Sequence, residues 1–399
     1  MQVDNRKLTV GLMTMHKVLN YGSALQTYAL QEVVEELGYK VEIIDYEYPN
    51  IEHKLYWEFW GSKKIHPHSL SRRIFNKLSE IVKDICSKKR VSSKEKFFSF
   101  YQTFYHLSSE QYPTRYWLGK KAPVYDIYLT GSDQVWNPKY IGYDTSFMLS
   151  FVQGVQPKIS YASSFSMAEV PEQYMDCYRH ELSKYSKISV RERSGVDIVK
   201  SLLKQEVEVT CDPTLLLNKE QWLKMAESSV CEIDEPYMLI YILDYAYNPY
   251  PDIFHIIEDV HKKLNLKIVV LNGKINEYMK THQANCINNA GPIDFVKLFS
   301  SASYIITTSF HGTAFALNLN IPFVSIVKNR DEGVDSRIFH LLTMVGAEKH
   351  ALLYNESVEH IEYTNTFNES IADNLQKIRS QSFSYLENAL LSAAYKVQN

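Results

Sequence analysis

Short apolar runs alternate along this chain with segments whose apolar residues recur at helical spacing. The run KLTVGLM precedes SALQTYALQEVVEEL, where Leu25, Ala29, Val33 and Leu37 fall near one helical face and Gly38 ends the pattern. The next strand-like run is KVEIIDY. An alternation of strand and helix predicts a parallel sheet with helices on both faces.

The same alternation continues and then begins again in the second half. The later strand-like runs are YDIYLTGS, KISYASS, KISVRE and VEVTCDP, and after a polar stretch YMLIYIL, LKIVVLNG, SYIITTS and PFVSIV. A length of 399 residues fits two domains of ordinary size. We predict an α/β protein with an N-terminal domain at 1–220 and a C-terminal domain at 221–370. An amphipathic helix at 371–399 is expected to pack back on the N-terminal domain.

One excursion within the N-terminal domain, residues 61–100, is strongly basic, with 11 Lys or Arg against 3 Asp or Glu. It carries one apolar stripe, formed by Leu70, Ile74, Leu78, Ile81, Val82 and Ile85. Two interpretations are open: a surface helix docked on its own domain, or a basic face that makes peripheral contact with a membrane or with a phosphorylated acceptor.

Composition narrows the class of protein. Hydrophobic residues make up 45% and charged residues 22%, as in ordinary globular proteins, and a net charge of −3 gives no field that would recruit nucleic acid. The five cysteines are scattered without a C-x-x-C pair, which favours reduced thiols. No signal-peptide pattern and no apolar run of about 18 residues occurs, so we expect a cytoplasmic protein.

Several common signatures are missing. The sequence contains no G-x-G-x-x-G, Walker P-loop, H-E-x-x-H, D-x-D or G-x-S-x-G motif, and no Cys/His metal spacing. We therefore expect no metal and no bound cofactor, and a ligand other than a standard dinucleotide.

Polar residues follow the predicted strands at the edge where parallel sheets bind ligands. After the first strand, Gly22 would permit a tight turn and Ser23 is a natural N-cap; the alternative is that Asn20, Gly22 and Ser23 face a ligand. A denser cluster follows YDIYLT, and packing explains it poorly. We expect ligand contacts from its members Ser132, Asp133, Gln134, Trp136 and Asn137.

Two further strand ends carry polar side chains. YASSFS contributes Ser163 and Ser164, either as structural serines or as ligand contacts. Arg191 follows an apolar strand, and its planar fork suits a carboxylate or phosphate. The alternative for Arg191 is an ion pair with Glu192 or Asp212.

The stretch SFHGTAF, which contains Ser309, Phe310, His311 and Gly312, begins a helix directly after a strand. Exposed N–H groups and the helix dipole favour anions at such a position. A neutral His311 there could donate one proton and accept another, and Gly312 leaves room for a ligand. The alternative is a structural histidine.

A charged loop beyond the next strand adds Lys328 and Arg337 at the same edge. Arg191, Lys328 and the helix N-terminus together suit a small anion with phosphate and carboxylate groups. The Ser, Trp and Asp cluster on the other domain suits a sugar.

At these residues the chain resembles the polysaccharide pyruvyl transferase family. The matching pieces are NYGSALQ, GSDQVWN, YASSF, SVRE, DPTLLL and SFHGTAFAL, in family order from residue 20 to about 327. The resemblance implies a GT-B-like fold, in which two Rossmann-like domains face each other across a cleft, with the acceptor on the N-terminal side. It implies transfer of pyruvate from phosphoenolpyruvate to a sugar or lipid-linked oligosaccharide of a capsule or exopolysaccharide, giving a ketal.

The resemblance also implies roles for residues. His311, Arg191 and Lys328 fall on the positions expected to handle phosphoenolpyruvate, with His311 as the proton-transfer group. Many relatives carry an acidic residue where this chain has Ser23, so Asp133 becomes the candidate base. Two other functions stay open: a GT-B glycosyltransferase that uses a nucleotide sugar, and a non-catalytic glycan-binding relative.

Overall fold

A computed structural model describes residues 7–54, 91–244, 247–273, 280–328, 336–356, 363 and 369–398. Most of the basic excursion, including the predicted apolar stripe, lies outside the described residues. Within the described ranges, no helix combines the length and the apolar character needed to cross a membrane.

The N-terminal domain contains a five-stranded parallel sheet in the order β3-β2-β1-β4-β5. Its strands are Thr9–Met13 (β1), Lys40–Tyr46 (β2), Leu107–Tyr112 (β3), Ile127–Thr130 (β4) and Lys158–Ser160 (β5). A two-stranded ribbon, Ser189–Val190 (β6) and Glu208–Val209 (β7), extends the sheet beyond β5 through single bridges. Strand β4 is buried at every position, which explains its uninterrupted run IYLT.

The C-terminal domain repeats this topology. Six parallel strands lie in the order β10-β9-β8-β11-β12-β13. They are Tyr237–Tyr241 (β8), Lys267–Leu271 (β9), Asn285–Ile287 (β10), Tyr304–Thr307 (β11), Phe323–Val327 (β12) and Ala351–Leu353 (β13). In both sheets the first strand lies at the centre and the order reverses beside it, which is the doubly wound arrangement.

Helices connect the strands. In the first half they are Tyr21–Glu36 (α1), Ser93–Phe104 (α2), Arg115–Lys120 (α3), Pro138–Ile141 (α4), Glu172–Leu182 (α5) and Arg193–Leu203 (α6). In the second half they are Lys219–Ala226 (α7), Ile253–Leu264 (α8), Pro292–Ser300 (α9), Phe310–Leu319 (α10), Ser336–Val345 (α11) and Glu369–Gln398 (α12).

The long helix α12 joins the two halves. Arg379 donates to the Leu215 carbonyl and to Asn318 Oδ1. Further along, Ser382 accepts from the Cys211 backbone, and the Tyr385 hydroxyl donates to the Ser160 carbonyl at the end of β5. The C-terminal half of this helix therefore packs against the N-terminal sheet.

The core is continuous between the domains. Tyr21 of α1 stacks on Phe97 of α2 and on Phe295 of α9, with ring centroids 5.2 and 4.9 Å apart. Trp222 of α7 contacts Tyr28 of α1 and Phe315 of α10. The two sheets are thereby held with their carboxyl edges toward a common cleft.

Candidate active site

A cavity of about 300 Å³ lies between the domains at the carboxyl edges of both sheets. The strand order reverses between β1 and β4 and between β8 and β11, so the loops after these strands diverge and leave a crevice. From the N-terminal domain the lining includes Asn20 and Ser23 after β1, Tyr48 after β2, and Asp133, Gln134 and Tyr140 after β4.

The C-terminal domain supplies the opposite wall. Its lining residues include Leu243 after β8, then Ser309, Phe310 and His311 after β11, and Arg337 on α11. Besides the two candidate catalytic residues Asp133 and His311, six of the residues expected from sequence to contact substrate line this one cavity: Asn20, Ser23, Gln134, Ser309, Phe310 and Arg337.

The start of α1 differs from the predicted cap. Asn20, not Ser23, is the N-cap residue, because its side chain accepts the Ser23 backbone N–H at 3.1 Å. Ser23 instead turns its hydroxyl to Asp133 and donates to Oδ2 at 2.5 Å. Ser23 thus presents a hydroxyl that is bonded to a carboxylate.

Gly22 has a different role from the predicted tight turn. It is the second residue of α1, and a Cβ built there would lie 1.9 Å from His311 Nδ1. The missing side chain therefore lets the imidazole of the other domain approach the helix backbone.

His311 lies in the first turn of α10. Ser309 caps this helix by accepting the Gly312 N–H at 3.2 Å, and the His311 side chain borders the cavity. Its Nε2 lies 3.5 Å from Asp212 Oδ2. Gly312, expected to leave room for a ligand, instead packs on β11, since a Cβ there would lie 2.4 Å from Thr307 Oγ1.

Asp212 lies behind the residues that line the cavity and accepts hydrogen bonds from several polar side chains. Its Oδ2 accepts Arg191 Nη1 at 2.7 Å and the Ser132 hydroxyl at 3.2 Å, and its Oδ1 accepts the Thr214 hydroxyl at 2.8 Å. Burial alone would raise the pKa of the Asp212 carboxyl, but the charges of His311 and Arg191 outweigh it and hold the pKa well below its ordinary value. Asp212 is therefore an ionised, buried carboxylate that positions His311.

Arg191 forms an ion pair with Asp212. This pair is the alternative, predicted from the sequence, to direct contact between Arg191 and a ligand. Besides Asp212, its Nη2 lies 3.8 Å from Asp133 Oδ1 and its Nε lies 3.9 Å from Glu192 Oε2. The guanidinium also lies over the Phe310 ring, 4.5 Å from its centroid. Arg191 is buried behind the residues that line the cavity and hydrogen-bonds Asp212, while its Nε and Nη2 donate no hydrogen bond to the described residues.

Asp133 occupies a strained backbone position at the cavity. Its φ is 69°, which a non-glycine residue seldom adopts outside functional sites and tight turns. One carboxylate oxygen accepts the Gln134 N–H and the other accepts the Ser23 hydroxyl. The backbone thus turns this side chain into the cleft.

Several residues predicted to bind substrate are structural instead. Trp136 is fully buried and its indole donates to the Phe147 carbonyl at 3.3 Å. Asn137 caps α4 by accepting the Lys139 N–H. Neither side chain lines the cavity, so contacts within the protein explain the positions of both, without a sugar.

The serines are also satisfied inside the protein. Ser132 donates to the Ala162 carbonyl and Asp212, Ser163 to the Thr130 carbonyl, and Ser164 to Glu192 Oε1. These hydroxyls position the loop after β4 and the Arg191 ion pairs rather than a ligand.

The sequence predicts two cations at the C-terminal side of the cavity, Arg337 and Lys328, and the structure places them differently. Arg337 lines the cavity, with its guanidinium 5.9 Å from the Phe310 ring centroid. Burial raises the pKa of Tyr140 on the opposite wall, and the charge of Arg337 partly offsets that rise. Lys328 is exposed at the end of β12 and is not among the lining residues. The loop at 329–335 lies outside the described residues.

Sequence reasoning missed Tyr48 and Tyr140 on the N-terminal wall of the cavity, and it named Asp212 only as a partner for Arg191. A signal existed for all three, because each follows a strand of the N-terminal domain. What the sequence lacked was the direction in which each side chain points.

Two doubly wound domains with a ligand-sized cavity at their shared edge define a GT-B-like protein. The sequence profile of the polysaccharide pyruvyl transferase family matches residues 20–329. The chain belongs to this family.

Solved structures resemble the chain in fold alone. The UDP-N-acetylglucosamine 2-epimerase from Rickettsia bellii is 12% identical over 98% of both chains, with a TM-score of 0.50. UDP-GlcNAc 2-epimerase from Methanocaldococcus jannaschii is 14% identical over 95% of this chain and 100% of that chain, with a TM-score of 0.43. UGT89C1 from Arabidopsis thaliana, complexed with UDP-L-rhamnose, is 8% identical over 98% and 99% of the two chains, with a TM-score of 0.48. No curated protein matches the chain.

Proposed function

We propose that this protein transfers pyruvate from phosphoenolpyruvate to two hydroxyls of a sugar in a cell-surface polysaccharide or its precursor, forming a pyruvate ketal. Family membership supports the reaction class. The observation that carries the proposal is His311, which faces the cavity from a helix N-terminus and is held by Asp212 of the other domain.

The donor anion binds on the C-terminal wall. Arg337 supplies a cation that lines the cavity, and the first turn of α10 supplies backbone N–H groups. Arg191 acts indirectly in this scheme. It keeps Asp212 ionised and supports the Phe310 ring beside the donor.

The chemistry needs one acid and one base. An acid protonates C3 of phosphoenolpyruvate, and the first sugar hydroxyl attacks C2 and loses its proton. The bond from C2 to the phosphate oxygen then breaks. The second hydroxyl attacks C2 and loses its proton. One of the two hydroxyl protons leaves with the phosphate, and the other hydroxyl proton replaces the one that the acid gave to C3.

His311 is the acid in this scheme, because it is the ionisable group nearest the helix terminus and Asp212 fixes its orientation. Asp133, paired with Ser23 on the opposite wall, takes the hydroxyl proton. Apolar and aromatic lining on that wall, including Met15, Tyr48 and Tyr140, suits the faces of a sugar ring.

A glycosyltransferase that uses a nucleotide sugar is the second candidate, because the α10 N-terminus would also suit a diphosphate. Calorimetric titration with phosphoenolpyruvate and with uridine-diphosphate sugars separates the two. Binding of only the nucleotide sugars would reject the pyruvyl transfer proposal.

The test of the proposal is phosphate release from phosphoenolpyruvate across a panel of acceptor glycans. His311→Ala should lower the rate by at least about a hundredfold, the usual contribution of a positioned acid, with an unchanged circular dichroism spectrum. His180→Ala, at an exposed histidine of α5, is the matched control and should keep the parent rate. A His311→Ala enzyme within threefold of the parent would remove His311 from the mechanism.

Arg337→Ala tests the donor site separately. It should raise the KM for phosphoenolpyruvate at least about tenfold, since an ionic hydrogen bond to the donor is lost. Lys328→Ala is the control, because Lys328 is a cation of the same domain that does not line the cavity. Equal effects of the two substitutions would contradict the assignment of Arg337.

A further inference from the structure

The short helix α3 displays aromatic residues to solvent. Tyr116 and Trp117 are 59% and 46% exposed, whereas Leu118, the next residue of the helix, is completely buried. Leu118 therefore anchors the helix in the core while its two aromatic neighbours stay outside. An exposed tryptophan is unusual here, because the other two described tryptophans, Trp136 and Trp222, are fully buried.

The two rings have few partners. Tyr116 and Trp117 contact each other edge to face, with centroids 5.7 Å apart. The Lys120 ammonium lies over the Tyr116 ring at 5.2 Å. Val124, a few residues further on, is also exposed. The two rings thus form one exposed aromatic pair on α3.

Basic side chains surround this area. Arg115, Lys120 and Lys121 are exposed, and the one acidic residue between 110 and 124, Glu110, pairs with Lys121 at 3.4 Å. Arg115 borders a second cavity that Glu52 and Asp144 also line, so Lys120 and Lys121 carry most of the positive charge beside the rings. We use the name α3 surface for Arg115, Tyr116, Trp117, Lys120 and Lys121.

The α3 surface lies beside the acceptor wall of the cavity. Helix α3 follows the carboxyl end of β3, which is the edge of the N-terminal sheet that faces the cleft. Arg115 donates to the Tyr143 carbonyl at 3.0 Å. Tyr143 lies two residues beyond the end of α4, whose Tyr140 lines the cavity.

We propose that the α3 surface docks on an anionic lipid bilayer. Tryptophan and tyrosine favour the boundary between headgroups and acyl chains, since one end of each ring is apolar and the other is polar. Lysine and arginine beside them are attracted to anionic headgroups, and each adds to the affinity at low ionic strength. The combination of exposed rings and exposed lysines matches a lipid surface better than a protein partner, whose interface core is depleted of lysine.

Docking through the α3 surface also narrows the class of acceptor, and this inference rests on the proposed function. The bilayer would lie on the side of the cavity that holds the sugar. A sugar attached to a membrane lipid would then enter the cavity without leaving the membrane. Of the two acceptors that the family resemblance implies, a free sugar and a lipid-linked oligosaccharide, docking would favour the second.

Co-sedimentation with vesicles tests the proposal without any sugar or phosphoenolpyruvate. The probes are vesicles of phosphatidylcholine alone and vesicles in which about a quarter of the lipid is phosphatidylglycerol, at about 0.1 M and about 0.5 M salt. The parent should bind the anionic vesicles at low salt, and high salt or neutral lipid should weaken binding at least about tenfold.

Two double variants separate the contributions of rings and charges. Tyr116→Ala with Trp117→Ala, and Lys120→Glu with Lys121→Glu, should each weaken binding to anionic vesicles at least about tenfold. The matched controls are Tyr395→Ala, at an exposed aromatic residue of α12, and Lys219→Glu with Lys224→Glu on α7. Residues 61–100 stay unchanged in every variant, so differences report the α3 surface.

Double variants that bind anionic vesicles within twofold of the parent would overturn the proposal, and so would equal binding of the parent to neutral and anionic vesicles. Phosphate release with a water-soluble acceptor should remain at the parent rate in both double variants. A loss of vesicle binding therefore reports docking, whereas a protein that binds vesicles but releases no phosphate would reject the proposed function alone.

Discussion

His311 owes its position to two residues of the other domain. Gly22 leaves the space that its ring occupies, and Asp212 lies 3.5 Å from its Nε2. Arg191 and Ser132 in turn hold Asp212. An imidazole fixed in this way loses little conformational freedom when substrate arrives, which is a requirement for efficient proton transfer.

A methyl group at Gly22 should displace the imidazole. We expect Gly22→Ala to lower phosphate release at least about tenfold while the protein stays folded, since a displacement of about 1 Å can cost about a hundredfold in rate. The rate and the melting temperature would be measured together. Gly119→Ala is the control, because a Cβ there meets no atom within 4 Å, and it should leave both values near those of the parent. Full activity in Gly22→Ala would show that the ring can move without consequence.

Removing the charge of Asp212 should destabilise the protein in a pH-dependent way. Asp212→Asn leaves Arg191 buried without its closest counter-ion, so the free energy of unfolding at pH 7 should fall by about 3–5 kcal/mol. The pKa of the Asp212 carboxyl is lowered in the folded state, so its contribution is complete above the ordinary carboxyl range near pH 4.

That contribution is lost as the pH falls below about 4, because the unfolded chain then takes up a proton that the folded protein does not. The gap in stability between parent and Asp212→Asn should therefore narrow in acid. Urea titrations at several pH values measure it, and a gap that is constant from pH 7 to acid would contradict the assigned ionisation.

Much of the site could be predicted from residue type and place, because polar residues at the ends of parallel strands tend to converge. His311, Asp133 and Ser23 follow this rule. The direction of each side chain could not be predicted: Trp136 and Asn137 come from the same loop as Asp133 but point into the protein. Likewise, a sequence does not tell whether Arg191 pairs with a ligand or with Asp212.

At the scale of helices and strands, the sequence predicted those strands whose residues are buried along the whole strand. Strands β4, β8 and β11 are buried at every position, and their apolar runs identified them. Strand β3 was missed because it lies at the sheet edge and reads LSSEQY, with three exposed polar residues in its middle. Helix α1 was found because a long amphipathic pattern exceeds the length of any strand.

Strand β5 contains a buried lysine whose titration can be followed. Burial lowers the pKa of Lys158 to about 8, and its ammonium donates to the Leu149 carbonyl at 2.7 Å. Between about pH 8 and pH 10 the unfolded chain therefore binds a proton that the folded protein has released, so stability contributed by this residue rises with pH.

Lys158→Met should abolish that rise. We expect the stability of the parent relative to the variant to increase from pH 8 to about pH 10, measured as the difference in free energy of unfolding. A difference that falls over this range would mean that the folded protein keeps Lys158 charged.

At the scale of the whole molecule, the shared core should make the two domains unfold together. One apolar cluster runs from the N-terminal sheet through Tyr21 and Phe295 to the C-terminal sheet. We expect a single calorimetric transition with van't Hoff and calorimetric enthalpies in agreement. Phe295→Ala, which removes a ring from the junction, should destabilise the protein by about 3–5 kcal/mol or split the transition. Two separate transitions in the parent would show that the junction does not couple the domains.

The place of Gly22 has a consequence for the way such proteins can be recombined. Alanine is a better helix former than glycine, so the N-terminal domain gives up some helix stability for an imidazole that the other domain encodes. Chimeras that join an N-terminal half from one relative to a C-terminal half from another should stay active only where Gly22, Asp212 and His311 are inherited as a set.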